Sequence, residues 1–232
     1  MSGTTPRTTE IYTGAYTSGK SEISINRALM LKNEGTPVTL VDLDTVEPAY
    51  TLRPLKKELE GLGLSVITQT DYTGLGEAGN VITGEQKNCL SREGNIVIDV
   101  GYGAGGLDIL NVVTGIEQEE NLNIYIVINT SKPETSNVKS IIEYVNWSEG
   151  KTSPEQDWKK FTGIISNTHF GDETTREDVI RGYEITKQAA EKLNLPIRAV
   201  AVMEKLYPEL EYLVYEGVSV WSLKRFMPRA MW

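Results

Sequence analysis

The stretch that decides the fold is GAYTSGKS (14–21), in which two glycines enclose four residues and a lysine and a serine follow. This spacing, G-x-x-x-x-G-K-[ST], is the Walker A pattern of a phosphate-binding loop. Glycines let successive backbone N–H groups point into one concavity, where an anion can bind. The pattern therefore predicts that Lys20 contacts the β- and γ-phosphates of a nucleotide and that Ser21 ligates Mg²⁺.

The sequence on either side of this stretch has the order that such a loop requires. EIYTG (10–14) is a short β-rich run, and SEISINRALMLKNEG (21–35) places apolar residues at helical spacing before a glycine that can end a helix. The N-terminus of that helix would favour a bound anion through its dipole. We therefore predict a nucleotide-binding loop made of Gly14, Ala15, Tyr16, Thr17, Ser18, Gly19, Lys20, Ser21 and Glu22.

Composition excludes several classes of protein. The formal net charge of −9 disfavours nucleic-acid binding, which needs Lys and Arg to neutralise phosphates. One cysteine and one histidine exclude a disulfide framework and disfavour a Cys/His metal cluster. The polar N-terminus lacks the apolar core of a signal peptide, and no apolar run is long enough to cross a membrane. A cytoplasmic protein is the expectation.

Apolar, β-rich runs alternate with amphipathic stretches along the chain, which indicates an α/β fold. We predict a P-loop NTPase fold with a mostly parallel central sheet of about seven strands and helices on both faces. Residues 1–9 are expected to be a flexible N-terminus and residues 10–232 a single nucleotide-binding domain. The predicted strands are 10–14, 37–44, 64–68, 95–101, 123–130, 161–168 and 196–202, and the predicted helices after the first are near 52–62, 104–117, 133–147 and 173–194.

Two aspartates follow the second predicted strand, in VDLDTVEPAYTLRP (41–54). Because ligands of such sheets bind at the carboxyl ends of strands, these carboxylates should lie near the phosphate loop. Asp42 is predicted to belong to the Mg²⁺ shell, and Asp44 to act with Lys20 in catalysis by orienting the attacking water. The alternative is a solvated turn at the end of a strand.

A third aspartate ends the apolar run NIVIDVGYGAGG (95–106). Burial of a carboxylate at this position would cost free energy without a compensating interaction, which favours a functional role for the residue. Asp99 is predicted to hold Mg²⁺ through water, and Gly101 to present its N–H to the γ-phosphate. The alternative is a strand-to-helix turn that needs glycine only for its shape.

Asn167 ends the predicted strand in GIISNTHFGDETTREDVIRG (163–182). Its amide is a candidate for reading the edge of the nucleobase, although asparagine is also an ordinary turn residue. The tetrad 167–170 is Asn-Thr-His-Phe and does not match [NT]-K-x-D, which argues for adenine over guanine. The expected ligands are therefore ATP and Mg²⁺.

The combined motifs resemble the SIMIBI class of P-loop NTPases, of the MinD/ParA/CobQ type. The motifs in residues 97–106, 127–135 and 165–182 look especially like those of a branch of bacterial ATP-binding proteins. The resemblance implies a nucleotide switch with slow ATPase activity that acts on a protein partner. The segments that carry it are GAYTSGKSE (14–22), VDLDTVEPAYTLR (41–53), VIDVGYGAGG (97–106), VINTSKPET (127–135) and ISNTHFGDETTREDVIRG (165–182).

One departure from that family bears on assembly. MinD/ParA-type proteins usually carry a signature lysine early in the loop, and this position is Ala15 here. The family's lysine acts across an ATP-sandwich dimer. A homodimer of this chain would therefore not form through a signature lysine.

Two other functions stay open. The first is a metabolic enzyme of the same fold that activates a carboxylate or phosphorylates a small acceptor, with Arg53 as a candidate anion clamp near residues 47–53 and 70–88. The second is a membrane-surface module that uses the basic, aromatic segment VSVWSLKRFMPRAMW (218–232). A final segment docked on the domain explains that composition better, because Pro228 would break a continuous helix.

Overall fold

Apolar strands that are buried on both faces form the centre of the protein. The computed structural model describes residues 7–45, 52–69, 81–103, 106–150, 158–212 and 217–227. Within these residues the strands form one sheet of order β3-β2-β4-β1-β5-β6-β7-β8, and every neighbouring pair is parallel. The strands are β1 Thr9–Gly14, β2 Val38–Leu43, β3 Ser65–Ile67, β4 Asn95–Val100, β5 Leu122–Ile128, β6 Gly163–Ser166, β7 Ile197–Met203 and β8 Val220–Leu223.

Helices cover both faces of this sheet. The protein has a hydrophobic core on each face of the sheet. Side chains alternate between the two faces along a strand, so Ile11 of β1 packs in one core and Tyr12 packs in the other. The Tyr12 core also contains residues of α1 and α2, and the Ile11 core contains residues of α4 and α5. The helices are α1 Lys20–Asn33, α2 Lys56–Gly61, α3 Gly84–Lys87, α4 Val138–Glu149, α5 Arg176–Leu193 and α6 Tyr207–Leu210.

The predicted α/β P-loop fold is confirmed, with two differences in detail. The described part of the sheet has eight strands rather than about seven, because Val220–Leu223 adds a strand beside β7. The helix predicted near 104–117 is replaced by two 3₁₀ turns, Leu107–Val112 and Ile116–Gln118. Gly115 separates the turns with φ 83°, a backbone conformation that no α-helix accommodates.

The start of the described chain packs on the domain. Arg7 donates a hydrogen bond to the backbone oxygen of Leu90 at 2.8 Å and forms an ion pair with Glu119. β1 begins at Thr9. Residues 1–6 of the predicted flexible N-terminus lie outside the described residues, so its flexibility stays a prediction.

The segment after β8 docks on the domain as far as Met227. Trp221, Phe226 and Met227 are all buried and contribute to the core under α1. These side chains are therefore not available to lie on a lipid surface, and residues 228–232 are outside the described part. None of the helices in the described ranges combines the length and the apolar character that a membrane span requires.

Candidate functional site

The loop between β1 and α1 has an open anion-binding concavity at its helix end. Thr17 and Gly19 both adopt left-handed backbone conformations, with φ of 56° and 88°. The Ser18 N–H donates to the Ala15 oxygen at 3.0 Å and closes the turn. Gly19 precedes α1 without any side-chain cap, so no side chain caps the first N–H groups of this helix. These are the groups that bind phosphates in such loops.

Two positions of this loop accept only glycine. A Cβ atom on Gly14 would lie 2.5 Å from Ser18 Oγ and 2.6 Å from the Val127 oxygen. A Cβ atom on Gly19 would lie 2.4 Å from Asn167 Nδ2, at a φ that side chains rarely tolerate. The glycines at both ends of the motif are therefore required by close packing as well as by backbone shape.

The lysine of the motif is paired with a carboxylate. Lys20 Nζ lies 3.1 Å from Asp44 Oδ2, and both side chains are buried. Asp42 is the penultimate residue of β2, and its Oδ1 accepts the Asp44 N–H at 3.0 Å, which fixes the turn between the two aspartates. Both predicted carboxylates therefore lie at the phosphate loop, as the order of the strands required.

Asp99 lies next to this pair, at the end of β4. It is the direct register partner of Asp42 across the β2–β4 ladder. Burial raises the pKa of Asp99 to about 8. Asp44 and Asp42 also raise it, while Lys20 and a hydrogen bond from Ser21 lower it. Asp99 Oδ2 is buried and has no hydrogen-bond partner among the described residues.

The buried Asp99 oxygen is suited to a divalent cation. Mg²⁺ usually takes one or two carboxylates together with waters and substrate phosphates, rather than a closed protein cage. In the described ranges, no group of three or more His, Cys, Asp or Glu side chains is arranged to hold an ion alone. Ser21, Asp42 and Asp99 fit the open kind of site, in which the nucleotide supplies the remaining oxygens.

The segment after Asp99 is tied to the base of the loop. Thr13, one residue before the motif, donates its hydroxyl to the Gly101 oxygen at 2.7 Å. The rings of Tyr16 and Tyr102 meet edge to face with centroids 6.0 Å apart. A movement of this segment would therefore be transmitted to the loop. The predicted contact of the Gly101 N–H with a γ-phosphate stays a prediction.

Asn167 reaches the phosphate loop from the end of β6. Its Nδ2 donates to the Ser18 oxygen at 2.8 Å, and the residue is buried. A cleft beside it is bounded by Gly19 and Glu22 on the loop side, by Met203 at the end of β7 and by Arg225 after β8. Asn167 thus supports the loop directly. Its predicted contact with the base stays a prediction.

Glu22 makes contacts that the sequence did not suggest. Its carboxylate accepts the backbone N–H of Phe226 at 3.0 Å and that of Met227 at 2.7 Å. Burial raises the pKa of Glu22, and these two hydrogen bonds lower it. The glutamate thus binds a segment about 200 residues away in sequence, for which no local pattern gives a signal.

His169 is another residue near the site for which we made no prediction. Its backbone N–H donates to Asn129 Oδ1 at 3.2 Å, and its ring Nδ1 accepts the Gly171 N–H at 3.4 Å. Burial lowers the pKa of His169 to about 4, with further lowering by Lys132 and Arg225. The imidazole is therefore neutral at physiological pH.

The structure gathers the predicted site residues at one edge of the sheet. The loop follows β1, Asp42 and Asp99 lie near the carboxyl ends of β2 and β4, and three further residues follow β2, β4 and β6, namely Asp44, Gly101 and Asn167. The acceptor pocket is predicted near residues 47–53 and 70–88, and of these residues 47–51 and 70–80 lie outside the described part of the chain. Arg53 is described, with its Nε 4.0 Å from Asp42 Oδ2.

Comparison with solved structures identifies the fold. The signal recognition particle receptor FtsY from Elizabethkingia anophelis, in complex with GDP, superposes with a TM-score of 0.54 at 15% identity, over 87% of this chain and 59% of that chain. FtsY from Thermotoga maritima superposes with a TM-score of 0.53 at 19% identity, over 97% of this chain and 67% of that chain. FtsY from Mycoplasma mycoides superposes with a TM-score of 0.54 at 18% identity, over 85% of this chain and 60% of that chain. No protein-family model matches the chain, and a search of curated proteins found no match.

These similarities confirm the fold but not a specific activity. At identities of 15–19%, they bear out the resemblance to SIMIBI-class P-loop NTPases at the level of the fold. The chain spans about three fifths of the length of the first of these structures. The MinD/ParA-like features stay predictions.

Proposed function

We propose that this protein is a Mg²⁺-dependent ATP-binding protein that hydrolyses ATP slowly and works as a nucleotide switch. The observation that carries this is the convergence of Lys20, Ser21, Asp44 and Asp99 at one glycine loop. Each of the four has a part in phosphoryl transfer: charge on the phosphates, ligation of the metal, orientation of water and support of the metal shell.

We expect slow turnover from the resemblance to nucleotide switches. Lys20 Nζ lies 3.1 Å from Asp44 Oδ2, so this ion pair rearranges when the lysine binds a terminal phosphate and Asp44 orients water. Loops that report the γ-phosphate and relax after hydrolysis are the usual mechanism of switches of this kind. The hydrogen bond from the Thr13 hydroxyl to the Gly101 oxygen is consistent with a coupling of this kind. We expect a protein partner, and a cytoplasmic location remains a prediction.

Adenine is favoured over guanine by the chemistry of the cleft beside Asn167. Guanine presents two N–H donor groups on its Watson–Crick edge, which a carboxylate recognises well. Among the described lining residues, the one carboxylate is that of Glu22, and it already accepts two backbone N–H groups. The FtsY comparison structure holds GDP, so the base preference of this chain must be measured directly.

Isothermal titration calorimetry with Mg·ADP, Mg·GDP and a non-hydrolysable ATP analogue tests the proposal. We expect ADP and the ATP analogue to bind, GDP to bind more weakly, and removal of Mg²⁺ to reduce affinity. Equal affinity for GDP would contradict the choice of ATP, and absence of binding by any nucleotide would contradict the proposed function.

A small-molecule acceptor is the second candidate, and the position of Arg53 favours it. The Arg53 guanidinium lies beside Asp42, so it could clamp an anionic substrate at the edge of the phosphate site. Addition of pools of metabolic acids to the ATPase assay distinguishes the two functions. A large stimulation of ADP release by one metabolite would favour the enzyme over the switch.

A further inference from the structure

The cleft beside the phosphate loop has a wall that comes from a distant part of the sequence. Leu223, Lys224 and Arg225 line it together with Gly19 and Asn167. We call residues 224–227 the post-β8 segment. It follows directly on the last strand of the described sheet.

Two side chains of α1 hold this segment by its backbone. The Glu22 carboxylate accepts the N–H groups of Phe226 and Met227. Asn26, one turn further along the helix, accepts the Lys224 N–H with its Oδ1 at 2.9 Å and donates its Nδ2 to the Lys224 oxygen at 2.9 Å. Backbone contacts of this kind fix the position of the chain whatever side chains it carries.

The attachment is buried and close to the catalytic motif. Glu22 and Asn26 are 6% and 5% exposed, and the side chains of Phe226 and Met227 enter the core beneath α1. Glu22 is also the residue directly after Ser21. The helix that receives the phosphates is therefore the helix that positions the post-β8 segment.

We propose that Glu22 is a positioning residue which, together with Asn26, holds the post-β8 segment in place as a wall of the nucleobase cleft. This inference rests on the proposed function. Phosphates at the loop would leave the rest of the nucleotide to enter the adjoining cleft, which Arg225 lines. A guanidinium group offers a flat cationic surface on which bases stack well. Base binding then depends on the segment, while phosphate binding depends on the loop alone.

A purely structural role of Glu22 in the loop would have a different signature. Damage to the loop weakens every ligand that has phosphates, whether or not it carries a base. Loss of the cleft wall weakens only ligands that carry a base. Inorganic tripolyphosphate, which has the phosphates without ribose or base, separates the two cases.

The experiment compares Mg·ADP with Mg·tripolyphosphate by calorimetry on the full chain. In Glu22→Ala the backbone N–H groups of Phe226 and Met227 both lose their acceptor, so the segment should detach. We expect a loss of about tenfold or more in affinity for ADP. Tripolyphosphate affinity should stay unchanged or rise, because a negative charge near the loop is removed. Asn26→Ala should act in the same direction, and Glu34→Ala, at the exposed end of the same helix, serves as the matched control.

Two results would overturn the inference while the proposed function stands. One is an equal loss for both ligands, and the other is unchanged ADP affinity in folded variants of both positions. Wild-type protein without measurable ADP binding would instead overturn the proposed function and this inference with it. Hydrogen exchange on the wild-type chain gives a test that needs no variant: ADP should increase protection of the Phe226 and Met227 amides, and unchanged protection contradicts the proposal.

Discussion

Lys20 Nζ lies 3.1 Å from Asp44 Oδ2, with both groups shielded from water. The lysine that should meet the terminal phosphates is thus already neutralised by the carboxylate that should orient water. A charged pair in such surroundings is stronger than one at the surface, since water and salt screen it less. Phosphate binding must therefore exchange one anion for another at Lys20.

Replacement of Asp44 by alanine should lower hydrolysis much more than binding. A residue that orients water acts mainly in the transition state, so its loss reduces the rate. Affinity for ADP should hold or rise, because Lys20 no longer has to leave a carboxylate. Single-turnover hydrolysis and calorimetry on the same variant measure the two quantities. Hydrolysis at the wild-type rate would show that Asp44 only forms a turn.

Replacement of Asp42 or Asp99 by alanine should weaken Mg²⁺-nucleotide binding itself. These carboxylates belong to the predicted metal shell, which acts already in the ground state. The expected loss of affinity appears with Mg²⁺ present and is smaller in EDTA. If both variants bind Mg·ADP as the wild type does, the assigned metal shell is wrong.

Lys20→Ala should reduce the affinity for ADP and for the ATP analogue about a hundredfold or more. Lys20 is the side chain of the loop that we expect to supply positive charge to the terminal phosphates. The variant removes a buried cation and leaves Asp44 behind, so its fold is checked by circular dichroism. A folded variant with unchanged affinity would refute the assignment of the phosphate loop.

Gly19→Ala should abolish nucleotide binding, while Gly35→Ala should not. Both glycines have positive φ, 88° and 91°, so both variants carry a backbone cost of about 1 kcal/mol or more. A Cβ atom on Gly19 meets Asn167 Nδ2, whereas one on Gly35 meets nothing within 4 Å. Thermal unfolding and ADP titration of the two variants separate the shared strain from the damage to the loop. Intact ADP binding in Gly19→Ala would contradict the close packing with Asn167.

The sequence was sufficient to place the candidate site residues at one edge of the sheet, for a physical reason. Carboxyl ends of parallel strands lie at one edge of a sheet, so a polar residue just after an apolar run can be placed without knowing its contacts. Asp42, Asp99 and Asn167 were located in this way. Helix capping is also a local contact: Thr175 caps α5 by accepting the Asp178 N–H.

The parts that sequence missed depend on contacts that no local pattern encodes. β8 is four residues long, and its burial alternates, so it shows no continuous apolar run. The hydrogen bonds of Glu22 join α1 to residues more than 200 positions away, and the ion pair of Lys20 depends on how the turn after β2 folds back. Only the assembled sheet brings these groups together.

ATP should not drive formation of a sandwich dimer through the loop. The position of the family's signature lysine is Ala15, which is buried and carries no charge to offer a second nucleotide. Multi-angle light scattering with and without the ATP analogue measures the effect, with Lys20→Ala as a control that should not bind the analogue. A shift from monomer to dimer that requires the analogue would show that another residue replaces the lysine. A dimer present under both conditions would leave the prediction intact, since it forms through another surface.

Acid should destabilise the protein through His169, the one histidine of the chain. Its pKa is lowered from 6.5 to about 4 by burial and by Lys132 and Arg225, so between these values the unfolded chain binds a proton that the folded chain does not. The contribution of His169 to stability is therefore full above pH 6.5 and falls as the pH drops towards 4, by at most about 3 kcal/mol, whereas the raised pKa of Asp99 acts in the opposite direction. Urea unfolding of the wild type and of His169→Gln from pH 7 to 5 isolates this contribution, because only the wild type loses it as the pH falls. Equal slopes in the two proteins, or an NMR titration of the imidazole near pH 6.5, would contradict the neutral, buried state of His169.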